Sequence, residues 1–112
     1  MTLPDNVTPE LINKVVASGV IIPSGTFSGS TLLPTDYTVA TSTTPGTIHL
    51  SLVNVTPAGV TQLGDIATIV LNLANKAAPT ASSFQLNNIN IIDTKGNTLA
   101  GINAVVNSVV LK

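Results

Sequence analysis

The side chains that could do chemistry are few and widely separated in this chain of 112 residues. His49 is the only histidine, and the five acidic residues are Asp5, Glu10, Asp36, Asp65 and Asp93. Glycoside hydrolysis by a carboxylate pair needs two acids around the scissile bond. Here the acids are not flanked by aromatic platforms that would hold a sugar. A Ser-His-Asp triad lacks the G-x-S-x-G context that exposes a nucleophile. We therefore predict that the chain is not an enzyme.

The same residues offer little to a metal ion or a cofactor. The chain has no cysteine, which removes disulfides, thiolate zinc sites and cysteine nucleophiles together. His49 has no acid or thiol beside it in sequence, so a surface residue is the favoured interpretation over a metal ligand or a base. Asp93 and Asn97 could lend oxygens to calcium, but calcium takes six or more oxygen ligands. We predict no metal and no cofactor, and a hairpin turn over residues 93–97, with Gly96 suited to positive φ and the Asp93 side chain bonding backbone amides.

Charge excludes two classes of partner. Five acids and four lysines give a formal net charge of −1, and no cluster of basic residues exists to meet phosphates. Apolar runs such as residues 69–71 are too short to cross a bilayer. The sequence therefore predicts no nucleic acid partner and no membrane insertion. Residues 1–5 lack the basic and apolar regions of a secretion signal, so any such signal is expected upstream or already removed. Solubility must come from Thr, Ser and Asn, a habit of secreted β-domains, which predicts an extracellular or cell-surface location.

Two stretches have the pattern of interior β-strands. Residues 64–73 are rich in β-branched side chains and apolar on both faces, which predicts a central strand covered on both sides. Residues 104–111 are also apolar on both faces and predict a second interior strand. Together they indicate one all-β domain, an antiparallel sandwich with at most one short helical turn.

The remaining chain predicts shorter elements. Thr8, Pro9 and Glu10 have the order of a helix cap, a first helical position and an acid near the helix start, which predicts a helical turn followed by strand. Residues 23–45 predict an ordered loop with one or two short strands. Residues 47–52 alternate as a half-buried strand with one wet face. A further strand is expected from Phe84, with a β-bulge at 87–88 where the apolar parity shifts.

Alternation along these strands also predicts the core, which we expect to be drawn from two facing sheets. Its predicted members are Ile48, Leu50, Leu52, Ala67, Ile69, Leu71, Leu73, Leu86, Ile89, Ile91, Val105 and Val109.

The order of the pieces resembles a known family. The sequences GTIHLSL at 46–52, LGDIATI at 63–69, FQLNNINI at 84–91 and DTKGN at 93–97 resemble the second half of a cohesin module, which carries a G-x-hydrophobic-ATI strand and a D-x-x-G-N turn. The resemblance covers roughly residues 7–112. It implies a jelly-roll β-sandwich, related in fold to a class of carbohydrate-binding modules, that binds dockerin domains in extracellular polysaccharide-degrading assemblies.

This resemblance gives the first functional hypothesis, a non-catalytic module that recognises a dockerin-like protein or a polysaccharide. The wet face of strand 47–52, formed by Thr47, His49 and Ser51, is the predicted partner-binding surface. Two features depart from the family. The opening strands of a cohesin are not supplied, so the domain is expected to be N-terminally incomplete, and the loop at 54–62 lacks the acidic residues of many dockerin-binding faces.

A second hypothesis is a structural subunit of a surface layer or filament. Two interior-type strands, 66–73 and 105–111, cannot both be covered at their edges within such an incomplete module. An open edge invites pairing with another chain, and no lysine lies inside a predicted strand to prevent it. The sequence therefore predicts a homodimer or higher self-association.

Overall fold

The computed structural model describes residues 1–54 and 62–112, and its fold is all-β with antiparallel pairing. The predicted all-β class with antiparallel pairing is thus confirmed, whereas the expected limit of one helical turn is exceeded by one and the jelly-roll sandwich stays a prediction. The described strands are two or three residues long: β1 (Val7–Thr8), β2 (Leu11–Ile12), β3 (Val15–Val16), β4 (Ile21–Pro23), β5 (Thr31–Leu32), β6 (Asp36–Thr38), β7 (Thr47–His49), β8 (Leu52–Val53), β9 (Ala67–Ile69) and β10 (Asn72–Leu73). Two 3-10 turns, Gly25–Phe27 and Ala81–Ser83, complete the set. Most of the loop at 54–62 lies outside the described residues.

Each strand pairs antiparallel with one other strand. The pairs are β1 with β10, β2 with β3, β4 with β9, β5 with β8, and β6 with β7. Thr2 extends this pattern, because it bridges Thr47 on one side and Gln85 on the other. Backbone bonds from the Leu3 amide to the Gly46 carbonyl and from the Ile48 amide to the Met1 carbonyl continue the contact. Residue 85, residues 1–3, β7 and β6 therefore lie side by side in that order.

The buried core is built around the N-terminal half of the chain. Its fully buried side chains are Leu3, Ala17, Val20, Ile21 and Ile48, with Ile69, Leu71 and Phe84 among the half-buried residues packed against them. Burying one such aliphatic side chain contributes about 1.5–3 kcal/mol. Because the cluster joins β4, β7 and the segment at residues 1–3, it holds the β4–β9 pair against the group formed by residues 1–3, β7 and β6.

The predicted core is correct at its centre and wrong at its margins. Ile48 is buried, while Leu50, Ala67, Ile69 and Leu71 pack against the core half-buried. Leu52, Leu86, Ile91 and Val109 are half-buried as well. The exposed members of the prediction are Leu73, Ile89 and Val105. Leu3, Val20 and Ile21 were not predicted, since burial there depends on pairing with distant segments.

The prediction of one central strand over 64–73 is wrong. This stretch forms two short strands with different partners: Ile69 in β9 pairs with Ile21, whereas Leu73 in β10 pairs with Val7. Side chains on its second face are not covered, since Ile66 is 39% exposed and Val70 is 54% exposed. The chain changes partner between β9 and β10, so no continuous ladder forms along it.

The predicted helical turn at Thr8 is also wrong. Thr8 lies in β1, and the chain continues into the β2–β3 hairpin, in which Leu11 pairs with Val16. Asn13 and Lys14 link the two strands with φ of 52° and 67°. Positive φ at both central residues defines the turn whose twist matches antiparallel strands. This turn, with β-branched residues after it, outweighs the weak helix-capping pattern.

Other parts of the sequence prediction are confirmed. Residues 23–45 contain two short strands, β5 and β6, as expected. For residues 47–52 the predicted alternation is confirmed at Ile48, which is buried, and His49, which is exposed, but the single predicted strand is divided between β7, paired with β6, and the start of β8, paired with β5. The turn at 93–97 forms as predicted: Ile92 bridges Thr98, and Gly96 has φ of 85°.

The two strands predicted in the C-terminal third do not form. Gln85 makes only a single-residue bridge to Thr2, and Asn88, with φ of 54°, turns the chain where a bulge was expected. Residues 104–111 are apolar on both faces, as an interior strand would be, but they do not form a strand. A strand requires a neighbouring backbone as well as an alternating sequence, and no described segment pairs with this one.

One buried hydroxyl gives a test of the loop between β5 and β6. Among the described residues, Thr35 Oγ1 is shielded from water and has no hydrogen-bond partner. A buried unsatisfied polar group costs about 1–3 kcal/mol. We expect Thr35→Val to raise the free energy of unfolding by about 1 kcal/mol in urea titrations, whereas Thr35→Ser, which keeps the hydroxyl, gives no gain. A loss of stability in the valine variant would show that the hydroxyl is satisfied in solution.

Candidate functional site

The predicted partner-binding residues lie along one strand and its continuation. Thr47 and His49 belong to β7, where they stand opposite Thr38 and Asp36 of β6. His49 is exposed, whereas Thr47 is half-buried because it also bridges Thr2. Ser51 lies beyond the end of β7, and its carbonyl accepts a 3.0 Å hydrogen bond from the Leu33 amide.

The exposed side of this ribbon carries hydrogen-bonding groups. His49 lies directly across from Asp36, and side chains at such positions have Cβ atoms about 4.5–5.5 Å apart. Asp36 and Thr38 are exposed, while Tyr37 between them is half-buried and packs against the core. The surface presents an imidazole, a carboxylate and a hydroxyl, and the strand that carries the last two is packed against the core through Tyr37. It is suited to hydrogen bonding with a partner.

A second candidate site is a cleft of about 550 Å³ between residues 81–87 and residues 103–106. Its walls are uncharged, and they combine apolar groups with amides: Ala81, Ser82, Phe84, Gln85, Leu86, Asn87, Asn103, Ala104, Val105 and Val106. Sequence reasoning did not find this cleft. The available signal is the apolar character of residues 104–111 on both faces, which predicts an interior strand and not the wall of a cleft.

One wall of the cleft is the outer edge of the strand arrangement at Gln85. The Gln85 amide donates to the Thr2 carbonyl at 3.3 Å, and the Thr2 amide donates to the Gln85 carbonyl at 2.7 Å. Since backbone groups of successive residues in an extended chain point to opposite sides, the amide and carbonyl of Leu86 point away from Thr2. Asn87 fixes this wall further, because its side-chain amide donates to Thr2 Oγ1 at 2.9 Å.

The opposite wall is a segment that belongs to no helix or strand. Ala104 and Val106 are half-buried and line the cleft, whereas Val105 between them is 75% exposed. The Ala104 amide donates to the Asn103 side chain at 2.9 Å. Within the described part of the chain, residues 105–112 form no hydrogen bond through their backbone. The cleft therefore separates the outer side of the single-residue bridge at Gln85 from a segment that forms no strand pairing.

In the third predicted feature, the turn at 93–97, the carboxylate of Asp93 stabilises the turn by bonding to its backbone. Asp93 Oδ1 accepts hydrogen bonds from the backbone amides of Lys95 at 2.8 Å and Asn97 at 2.9 Å. These amides, with that of Asn97 contributing most, hold the pKa of Asp93 below its ordinary value. No group of three or more His, Cys, Asp or Glu side chains suited to a metal occurs among residues 1–54 and 62–112.

The Asp93 turn predicts a pH dependence. A carboxyl whose folded pKa is depressed stabilises the turn above its unfolded pKa of about 3.9, and this contribution is lost as pH falls through the folded pKa. We expect the amide NMR resonances of Lys95 and Asn97 to shift together with a midpoint below about 3.9. Asp93→Asn should remove that transition. A midpoint at or above about 3.9 in the unsubstituted chain would contradict the bonding described.

No family model, curated protein or solved structure matches this chain. Across the described residues, no helix has the length and apolar character needed to pass through a bilayer.

Proposed function

We propose that this chain is a non-catalytic β-domain that works by association, as a structural subunit of an extracellular or cell-surface layer or filament. The observation that carries the proposal is the segment 104–111. It is mostly apolar and lies outside the helices and strands, Val105 and Val110 are 75% and 76% exposed, and its backbone makes no backbone–backbone hydrogen bond in the described part of the chain. Exposed apolar edges of this kind pair readily with another chain.

The distribution of charge supports the same function. Charged side chains, lysines especially, are the usual protection of an open edge. Lys14 and Lys76 both lie at positive φ, outside the described strands, and Lys95 lies in the Asp93 turn. From Gly96 to Leu111 the chain carries no charge. Nothing in that segment opposes docking against a second β-structure.

The proposal predicts the effect of adding charge to the segment. We expect the double variant Val105→Lys/Val110→Lys to weaken self-association at least tenfold, because each lysine would have to be desolvated in the interface. Light scattering over a hundredfold dilution measures the change. The matched control is Val39→Lys, since Val39 is exposed to a similar degree outside this segment. Equal effects of the two variants, or a chain that is monomeric throughout, would contradict the proposal.

A second candidate function is cohesin-like recognition by a jelly-roll sandwich, with a dockerin-like protein or a polysaccharide as the ligand. The specific observation in its favour is the exposed polar side of β6 and β7, where His49 stands opposite Asp36. Titration against a set of dockerins and against polysaccharides tests it. Binding that is lost in His49→Ala and kept in Val105→Lys/Val110→Lys would favour this function over self-assembly.

A further inference from the structure

We infer that the cleft between residues 81–87 and 103–106 receives the segment 104–111 of a second copy, which adds as a β-strand beside Leu86. This inference rests on the proposed function and specifies the donor and the acceptor of the strand pairing. Donor and acceptor belong to one interface, because residues 104–106, the start of the donor segment, also line the acceptor cleft of their own chain.

The acceptor edge is defined by how Gln85 is bonded. Both backbone groups of Gln85 are used by Thr2, so those of Leu86 are directed to the cleft side. In the described part of the chain, no backbone hydrogen bond is recorded for the Leu86 amide or carbonyl. The preceding 3-10 turn fixes the start of this edge, because the Phe84 amide donates to the Ala81 carbonyl at 3.3 Å. An incoming strand would find one donor and one acceptor already aligned.

The donor segment, residues 104–111, has the composition of a strand but makes no strand-pairing hydrogen bonds in the described structure. Residues 104–111 contain four valines and a leucine, and β-branched residues favour the extended conformation. Ala104, Val106 and Val109 are half-buried whereas Val105 and Val110 are exposed. Eight residues in extended conformation would span about 27 Å, slightly less than the 30 Å width of the molecule.

Charge and size match donor to acceptor. Neither the cleft walls nor residues 104–111 contain a charged side chain, so docking desolvates no ion. A cleft of 550 Å³ has room for on the order of 20 water molecules, which is enough space for part of a strand. Full burial removes roughly 60–120 Å² of surface per valine or leucine. Reciprocal exchange of two segments, each with four valines and one leucine, buries at most roughly 600–1,200 Å², and the upper end of that range meets the lower limit of a specific interface.

Engineered cysteines test the pairing directly, since the chain has none of its own. Ser82→Cys marks the cleft and Ser108→Cys marks the donor, and both positions are exposed. The two full-length variants, one carrying an isotope label, are mixed and oxidised. We expect a disulfide between position 82 of one copy and position 108 of the other. Its yield should exceed at least fivefold that of the control pair Ser42→Cys with Ser108→Cys.

Four results would overturn the inference. Equal yields for the two pairs would mean that the contact is not specific. In a protein that carries both Ser82→Cys and Ser108→Cys, a disulfide that forms only within single chains would mean that the segment occupies the cleft of its own chain. Light scattering separates the remaining cases: self-association without the 82–108 disulfide rejects this interface and leaves the proposed function standing, whereas a strictly monomeric chain rejects both.

Discussion

Replacing Gly25 with alanine is expected to lower the free energy of unfolding by about 2–5 kcal/mol. Gly25 has φ of 55°, and a Cβ placed on it would collide with the Asp65 carbonyl oxygen and lie 2.9 Å from the carbonyl carbon. That oxygen accepts the Thr26 amide at 2.8 Å and the Thr26 hydroxyl at 3.1 Å. The variant therefore combines backbone strain with a clash that breaks the contact between the 3-10 turn and the approach to β9.

Gly29→Ala is the matched control for this prediction. Gly29 also has positive φ, 79°, but a Cβ there would meet nothing within 4 Å. We expect it to cost only the strain of the left-handed conformation, about 1–2 kcal/mol. Urea titrations of both variants measure the difference. If both variants lose the same stability, the packing of Gly25 against Asp65 is not as described.

The second large effect is expected for Ile48→Ala, which should lower the free energy of unfolding by about 2–5 kcal/mol. Ile48 is 1% exposed and lies at the centre of β7, opposite Tyr37. Truncation removes a side chain that joins the β6–β7 ribbon to the remaining core, and the cavity adds to the lost transfer free energy.

Val39→Ala serves as the control for Ile48, because Val39 is exposed just beyond β6. Its change should stay within about 0.5 kcal/mol, the usual surface range. A loss below about 0.5 kcal/mol for Ile48→Ala would mean that the core does not centre on β7.

Local sequence patterns predicted the features that depend on neighbouring residues. Alternation around Ile48 identified the buried side of β7, and Asp93 with Gly96 identified the hairpin turn. The same reasoning failed where pairing partners decide the structure. Val70 is exposed because the chain leaves β4 and joins β1 within a few residues, a change of partner that no local pattern encodes.

The candidate sites show the same division. Thr47 and His49 were predicted together because two residues in one strand share a side. The cleft was not predicted, since its walls lie about twenty residues apart in the chain and no local pattern shows that they face each other. The apolar, β-branched residues of 104–111 indicate that this segment can form a strand. Whether its pairing partner comes from the same chain or from another depends on which strand edges are available.

Amide hydrogen exchange of residues 104–111 tests the central claim most directly. In a dilute, monomeric sample these amides should exchange rapidly, since those from residue 105 onward donate to no backbone carbonyl in the described structure. In a concentrated sample, the account predicts that alternate amides of the segment, together with that of Leu86, become protected at least tenfold. Protection of the segment that is unchanged by concentration, whether high or absent, would contradict the claim that this chain works by donating a strand to another copy.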